Sequence, residues 1–189
     1  MDREALKESV QAQMPTRRWE HTQGVMRTAA ELVKQYGGDP EQAELAAILH
    51  DVAKYWPVEK MAETIREEGL YLEVLDHDKE LWHAYAGAYA ARRDYGITDQ
   101  QVLDAIRYHT SGRPGMSHLE KIVWLADLIE PGRSFPLVGE IRALAEQSLE
   151  RAILAGLDTT ILFLIEKGKR IYPLTLLARN DLILKEAEA

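Results

Sequence analysis

Apolar residues recur at helical spacing along this chain from one end to the other, and no segment shows the strict polar–apolar alternation of a half-buried strand. A chain that cannot pair strands must bury its apolar stripes helix against helix, which restricts it to an all-α bundle. Start and stop signals predict helices over 3–13, 16–36, 40–55, 58–68, 78–94, 99–109, 118–130, 138–147, 149–168 and 174–186. Gly37-Gly38 closes one helix, and Asp39-Pro40 opens the next as N-cap and first-turn proline. Thr98 with Gln101, and Ser117 with Glu120, read as capping boxes. The chain has 189 residues, 46% of them hydrophobic, and no long linker, repeat or low-complexity tract, so 1–189 reads as a single domain.

There is no cysteine, which excludes thiolate metal sites, disulfides and cysteine nucleophiles. Any transition-metal site must use histidine and carboxylate. The formal net charge of −8 argues against a general nucleic-acid surface, and a phosphorylated substrate would need local positive charge. No stretch is apolar over the length of a membrane span, and the opening MDREALKESVQAQM is a charged amphipathic helix rather than a signal sequence. The expectation is a cytoplasmic protein that engages neither membrane nor nucleic acid.

The placement of the histidines points to chemistry. His21 shares a helical face with Val25, Ala29 and Leu32; His50 follows Ala43, Ala46 and Ala47; His109 follows Val102, Ala105 and Ile106. All three therefore point inward. His83 lies above Ala86, Gly87 and Ala90, small residues that admit a neighbouring helix, and Asp127 interrupts the apolar run IVWLADLI. A lone histidine of this kind is usually a hydrogen-bonded core residue, and a lone buried aspartate a cap or ion-pair partner. Four inward histidines and two inward carboxylates on five helices are costly together, and a metal ion is the commonest compensation. Consecutive helix residues point about 100° apart, so the pair His50-Asp51 can reach one metal from two sides, or its carboxylate can reach a second. His77, in LDHDKE, and His118, after Ser117, lack an apolar seam and are not expected to be ligands.

In order, His21, His50-Asp51 and Asp127 match the H…HD…D pattern of the HD phosphohydrolase superfamily, which this chain resembles. The segments RRWEHTQGV, AAILHDVAKYWP, LWHAYAGAYAA, IRYHTSGRPGMSHLEKIVWLADLIEPGR and RIYPLTLLARN narrow the resemblance to the YqeK-type family of bacterial symmetrical bis(5′-nucleosyl)-tetraphosphatases. The resemblance implies an HD-domain helical bundle, with a metal-site core over about 17–133 and C-terminal helices over about 138–186 completing the nucleotide site. It implies that a dinucleoside polyphosphate, diadenosine tetraphosphate, is hydrolysed to two ADP on an iron-containing, dinuclear centre. Carried over by residue, His21, His50, Asp51 and Asp127 hold the first metal, while His83 and His109 complete the second or contact phosphate. Such a donor set also accepts manganese, cobalt or zinc.

Two metals about 3.5–4 Å apart can activate a water and clamp phosphate oxygens, which suits a chain with no cysteine and no GxxxxGK[ST] loop. Lys54, one turn after His50 on the expected helix, would neutralise phosphate beside the catalytic Asp51, His83 and His109. The resemblance favours substrate contacts from Arg18, Thr110, Arg133 and Arg170, with Tyr172 against adenine, whereas Trp19, Trp56, Trp82 and Trp124 read as core. A nucleoside monophosphatase or guanosine polyphosphate hydrolase of the HD type would keep His21, His50, Asp51 and Asp127 without needing His83 and His109. A nucleotide-sensing domain without turnover would be expected to have lost ligands. The sequence does not encode an oligomeric state that can be read, a homodimer being one arrangement. His50→Ala and Asp51→Ala should each abolish metal retention and activity, whereas His77→Ala and His118→Ala should retain both, a contrast that elemental analysis reads directly.

Overall fold

The computed structural model describes residues 2–188, with side chains through 184, and contains no strand among the described residues. Its helices are α1 (Arg3–Gln11), α2 (Thr16–Tyr36), α3 (Pro40–Leu49), α4 (Val58–Glu68), α5 (Trp82–Tyr95), α6 (Gln100–Tyr108), α7 (His118–Ile129), α8 (Val138–Ala145), α9 (Leu149–Glu166) and α10 (Pro173–Glu188). Two short 3₁₀ turns, Leu72–Asp76 and Lys79–Leu81, occupy the α4–α5 connection. The all-α expectation holds.

Two expected helices are shorter than their periodicity suggests. The one expected over 40–55 stops at Leu49, with His50 as its C-cap. The His50 Nδ1 lies 2.7 Å from the Ala47 carbonyl, in competition with the backbone bonding that would continue the helix. The chain goes on in tight turns instead, Val52 N to Leu49 O at 3.1 Å, Lys54 N to Asp51 O at 2.9 Å and Trp56 N to Ala53 O at 3.0 Å. The helix expected over 78–94 begins only at Trp82, because Asp78 caps the preceding 3₁₀ turn by accepting from Glu80 N. At α6 the cap is Asp99, which accepts from Gln101 N at 2.9 Å, and not Thr98. The Ser117–Glu120 capping box and the Asp39 cap form as expected.

Helix α2 packs on α3 and α7, α6 on α5 and α7, α9 on α7 and α8, and α10 on α9. Val25, Ile48, Ile106, Val123, Leu125 and Ile153 share the main core, and a second cluster gathers Ile65, Tyr85, Tyr108 and Tyr172. The alanines of α5, with Gly87 between them, are buried and let α4 and α6 close on that helix. Gly156 sets the approach of α9 to α7. A Cβ there would collide with Leu128 Cδ2 and lie 2.9 Å from Trp124 Cη2. Gly156→Ala should therefore overpack this contact and lower stability by about 1–3 kcal/mol, read as a reduced urea midpoint at unchanged slope.

Candidate metal centre

The six expected ligand residues come together from five helices. Helix α2 supplies His21, the end of α3 His50 and Asp51, α5 His83, the end of α6 His109, and α7 Asp127. His50, Asp51, His83 and His109 are buried, with His21 and Asp127 at the rim. Asp51 faces two ways. Its Oδ2 lies 3.0 Å from His50 Nε2 and 3.6 Å from His21 Nε2, and it pairs with Arg18. Its Oδ1 lies 3.1 Å from His83 Nε2 and 3.9 Å from His109 Nε2. Asp127 Oδ1 sits 2.9 Å from His21 Nε2, 3.8 Å from His50 Nε2, and pairs with Arg133. The donors thus form two groups, His21–His50–Asp51 and Asp51–His83–His109, with Asp51 in common.

Hydrogen-bond partners fix which nitrogens face the centre. His50 Nδ1 is 2.7 Å from Ala47 O and His109 Nδ1 is 2.7 Å from Ile106 O. A carbonyl only accepts, so both Nδ1 atoms carry hydrogen and the neutral rings turn a lone pair on Nε2 inward. His21 does the same through Nδ1, 3.0 Å from Glu130 Oε1. The inward nitrogens approach in pairs, His21 to His50 at 3.4 Å and His83 to His109 at 3.2 Å. Both Asp51 oxygens are buried and neither makes an aligned hydrogen bond, so their short ion-pair distances mark atoms gathered around shared points. Lone pairs facing carboxylate oxygens call for a cation, and imidazole nitrogens with carboxylate oxygens fit a divalent metal. Helices α3 and α6 also direct their negative C-terminal ends here.

Burial alone would raise the Asp51 carboxyl, but the charges of the adjacent His50 and His83 imidazoles hold it well below the usual carboxylate range. At Asp127 burial likewise opposes ionisation, and Arg133 and His21 overcome it. Burial disfavours a charged His50, yet the adjacent Asp51 raises its basicity. Because Nδ1 is committed to Ala47, a proton taken up by this ring would sit on Nε2 and compete with metal there. Burial, followed by the charges of His50 and His83, pushes His109 down to about 3, so this ring is neutral.

A cleft of about 330 Å³ opens onto His83, His109 and Asp127. Of the expected substrate residues, Arg18, Lys54, Thr110, Arg133, Arg170 and Tyr172 all line it. Lys54 reaches it from the turn after α3 rather than from the expected helix, with Nζ 3.0 Å from Glu80 Oε2. Thr110 Oγ1 is buried without a partner, and Arg170 Nη1 donates to Asp76 O at 2.7 Å. Tyr172 is only 4% exposed, with its hydroxyl 3.1 Å from that of Tyr85, so it is a wall of the cleft rather than a free stacking platform. Trp124 is buried as expected, yet it also borders the cleft with an unpartnered Nε1. His77 packs its ring on Tyr172 at 4.7 Å and His118 Nε2 lies 3.0 Å from Gly37 O, and neither belongs to the two donor groups.

An all-helical bundle with histidine and aspartate converging beneath a cationic cleft defines a metal-dependent hydrolase of the histidine–aspartate class. The HD domain family model matches residues 18–132, and the chain belongs to that family. It is 48% identical over 183 residues to the symmetrical bis(5′-nucleosyl)-tetraphosphatase of Bacillus subtilis, covering 97% of this chain and 98% of the relative. A Staphylococcus aureus protein of the same name is 38% identical over 93% of this chain and 92% of the relative. Among solved structures, a predicted HD superfamily hydrolase involved in NAD metabolism from Clostridium acetobutylicum superposes with a TM-score of 0.94. It is 41% identical and covers 98% of each chain.

Sequence reasoning missed Glu130 and Lys169. Lys169 lines the cleft and pairs with Asp78 at 2.9 Å. Glu130 is 3% exposed; its Oε1 takes the His21 Nδ1–H and its Oε2 accepts from Gly132 N at 2.6 Å. Two glycines make room for it: a Cβ on Gly24 would collide with Oε2, and one on Gly132 would lie 2.9 Å from Oε1. The signal was Gly24, three residues after His21 on the same face, facing a glutamate in LIEPGR; with no apolar seam to mark it, the glutamate read as part of a helix stop. A carboxylate that fixes a ligating histidine's tautomer raises metal affinity, so Glu130→Ala should weaken metal binding about 10–100-fold in chelator competition while the helical signal is kept.

Proposed function

We propose that this chain hydrolyses diadenosine tetraphosphate symmetrically to two ADP, in the cytoplasm, on a dinuclear iron centre. The observation that carries this reading is the division of Asp51, whose two oxygens face two donor groups at the floor of a cation-lined cleft. The near full-length similarity to proteins named symmetrical bis(5′-nucleosyl)-tetraphosphatases supplies the substrate. The net charge of −8 and the lack, among the described residues, of a helix able to cross a membrane support a site that works away from nucleic acid and membrane.

In this reading His21, His50, Asp51 and Asp127 hold the first metal, and Asp51, His83 and His109 the second. The inward Nε2 of His109 bears a lone pair and cannot donate to a phosphate oxygen, itself only an acceptor, which favours ligation over phosphate contact. Iron suits imidazole and carboxylate donors, as do manganese, cobalt and zinc. When bound, such ions lower the pKa of water toward neutrality and offset charge on phosphoryl oxygens. Arg18 and Arg133 each spend part of a guanidinium on Asp51 and Asp127 and keep further N–H donors for phosphate. Lys54, Lys169 and Arg170 neutralise the chain, and the free Thr110 hydroxyl donates to it.

The C-terminal helices complete the nucleotide site, and hence one domain, because Thr160 and Phe163 of α9 and Tyr172 and Thr175 around the start of α10 wall the cleft. The fixed spacing between the donor groups and the Arg133–Arg170 clamp, rather than any base code, selects the second phosphate from the nucleoside. In heavy-oxygen water, ADP should be the sole nucleotide product, with label in one ADP per turnover; equal ATP and AMP would overturn the cleavage position. Arg133→Ala should chiefly raise KM, and His109→Ala should chiefly lower kcat.

A further inference from the structure

The proposed substrate has two equal ends, and the cleft described above accommodates one. Arg18 and Arg133 line a second opening as well, a recess of about 560 Å³ that meets the donor cluster at His21 rather than at His83 and His109. Each donor group therefore has its own entrance, and the two arginines paired with Asp51 and Asp127 belong to both. Both volumes fall in the range of ligand sites. The recess gains Arg17 and Arg27, which lie with Gly24 along one face of α2. Both are exposed, and neither makes an ion pair among the described residues. Its acidic members are Glu130, committed to His21 and Gly132, and Glu20. At its edge stands the ring of Tyr55, 55% exposed.

We infer that this recess binds the second nucleoside diphosphate: Arg17, Arg18, Arg27 and Arg133 hold its two phosphates, Glu20 accepts from ribose hydroxyls, and Tyr55 stacks on the base. The inference rests on the symmetrical reading above. A neighbouring apolar groove that includes Phe135, Leu137, Leu162 and Phe163 also borders Arg133, but Arg133 is its one cation and Glu166 stands opposite in charge, which suits a diphosphate poorly. Four guanidiniums beside the donor cluster suit it well.

Calorimetric titration of the metal-loaded protein with ADP should give two ADP per chain, and the double variant Arg17→Ala/Arg27→Ala should bind one. The same variant should raise KM for diadenosine tetraphosphate about tenfold or more with kcat changed far less. Tyr55→Ala should weaken the second ADP and Tyr55→Phe should restore it, a rescue that a structural role for the hydroxyl would not give. One ADP per wild-type chain, two in the double variant, or loss of the second ADP in Leu162→Ala, which alters the apolar groove alone, would overturn the assignment. If the wild-type protein yields ATP and AMP, the symmetrical reading fails by its products, while the ADP count still decides whether the recess is a nucleotide site.

Discussion

Asp51 has no exposure to solvent, and its oxygens have the nitrogens of His50, His83 and His21 within 3.6 Å. A buried charge of this kind is tolerated only when compensated, and the rest of the molecule is arranged around that requirement. Arg18 approaches from one side and the imidazoles from the others, each with its outer nitrogen already occupied where a partner is seen, at Ala47, Ile106 and Glu130. The outer bonds are what make the inner lone pairs available. Removing one would leave a ring free to turn its N–H inward, and the cluster would then offer hydrogen where it now offers a donor pair.

The chain's overall negative charge conceals how its cations are distributed. Arg18, Lys54, Arg133, Lys169 and Arg170 surround one cleft in a protein with a net charge of −8. Several are held in place by carboxylates or carbonyls, Lys54 by Glu80, Lys169 by Asp78 and Arg170 by Asp76. Side chains pinned in this way give up rotamer freedom on folding rather than on binding, so an anionic ligand meets cations already in position.

Much of this was legible in the sequence because it depends on local spacing. Helical periodicity named the fold class, and apolar seams singled out His21, His50, His109 and Asp127 as inward-facing residues. The Asp39 cap and the Ser117–Glu120 box followed from short-range chemistry alone. What the sequence concealed depends on residues far apart in the chain. Glu130 meets His21 across 109 positions, so no window of periodicity could join them. The early end of α3 was hidden for a related reason: the apolar pattern continues past Leu49, and the competing bond from the His50 side chain leaves no mark in it. Trp124 looked like core because it is core; it also lines the cleft beside Thr160 and Phe163 of α9, residues far along the chain that no local pattern connects to it.

Two of the helices stop at a ligand, α3 at His50 and α6 at His109, each imidazole bonded to the carbonyl three residues behind it. Ligand direction is thereby tied to the count of residues along the helix. Each residue inserted or deleted turns the terminal side chain by about 100° and shifts it about 1.5 Å along the axis. Substitutions within these helices exchange one side chain for another and leave the count intact, whereas a change of length dismantles the cluster. The connections between α5 and α6 or between α8 and α9 carry no residue of the site and escape that rule. In this architecture, variation in length is expected to collect in such connections, and the spacing within α3 and α6 to persist after most of their side chains have been exchanged.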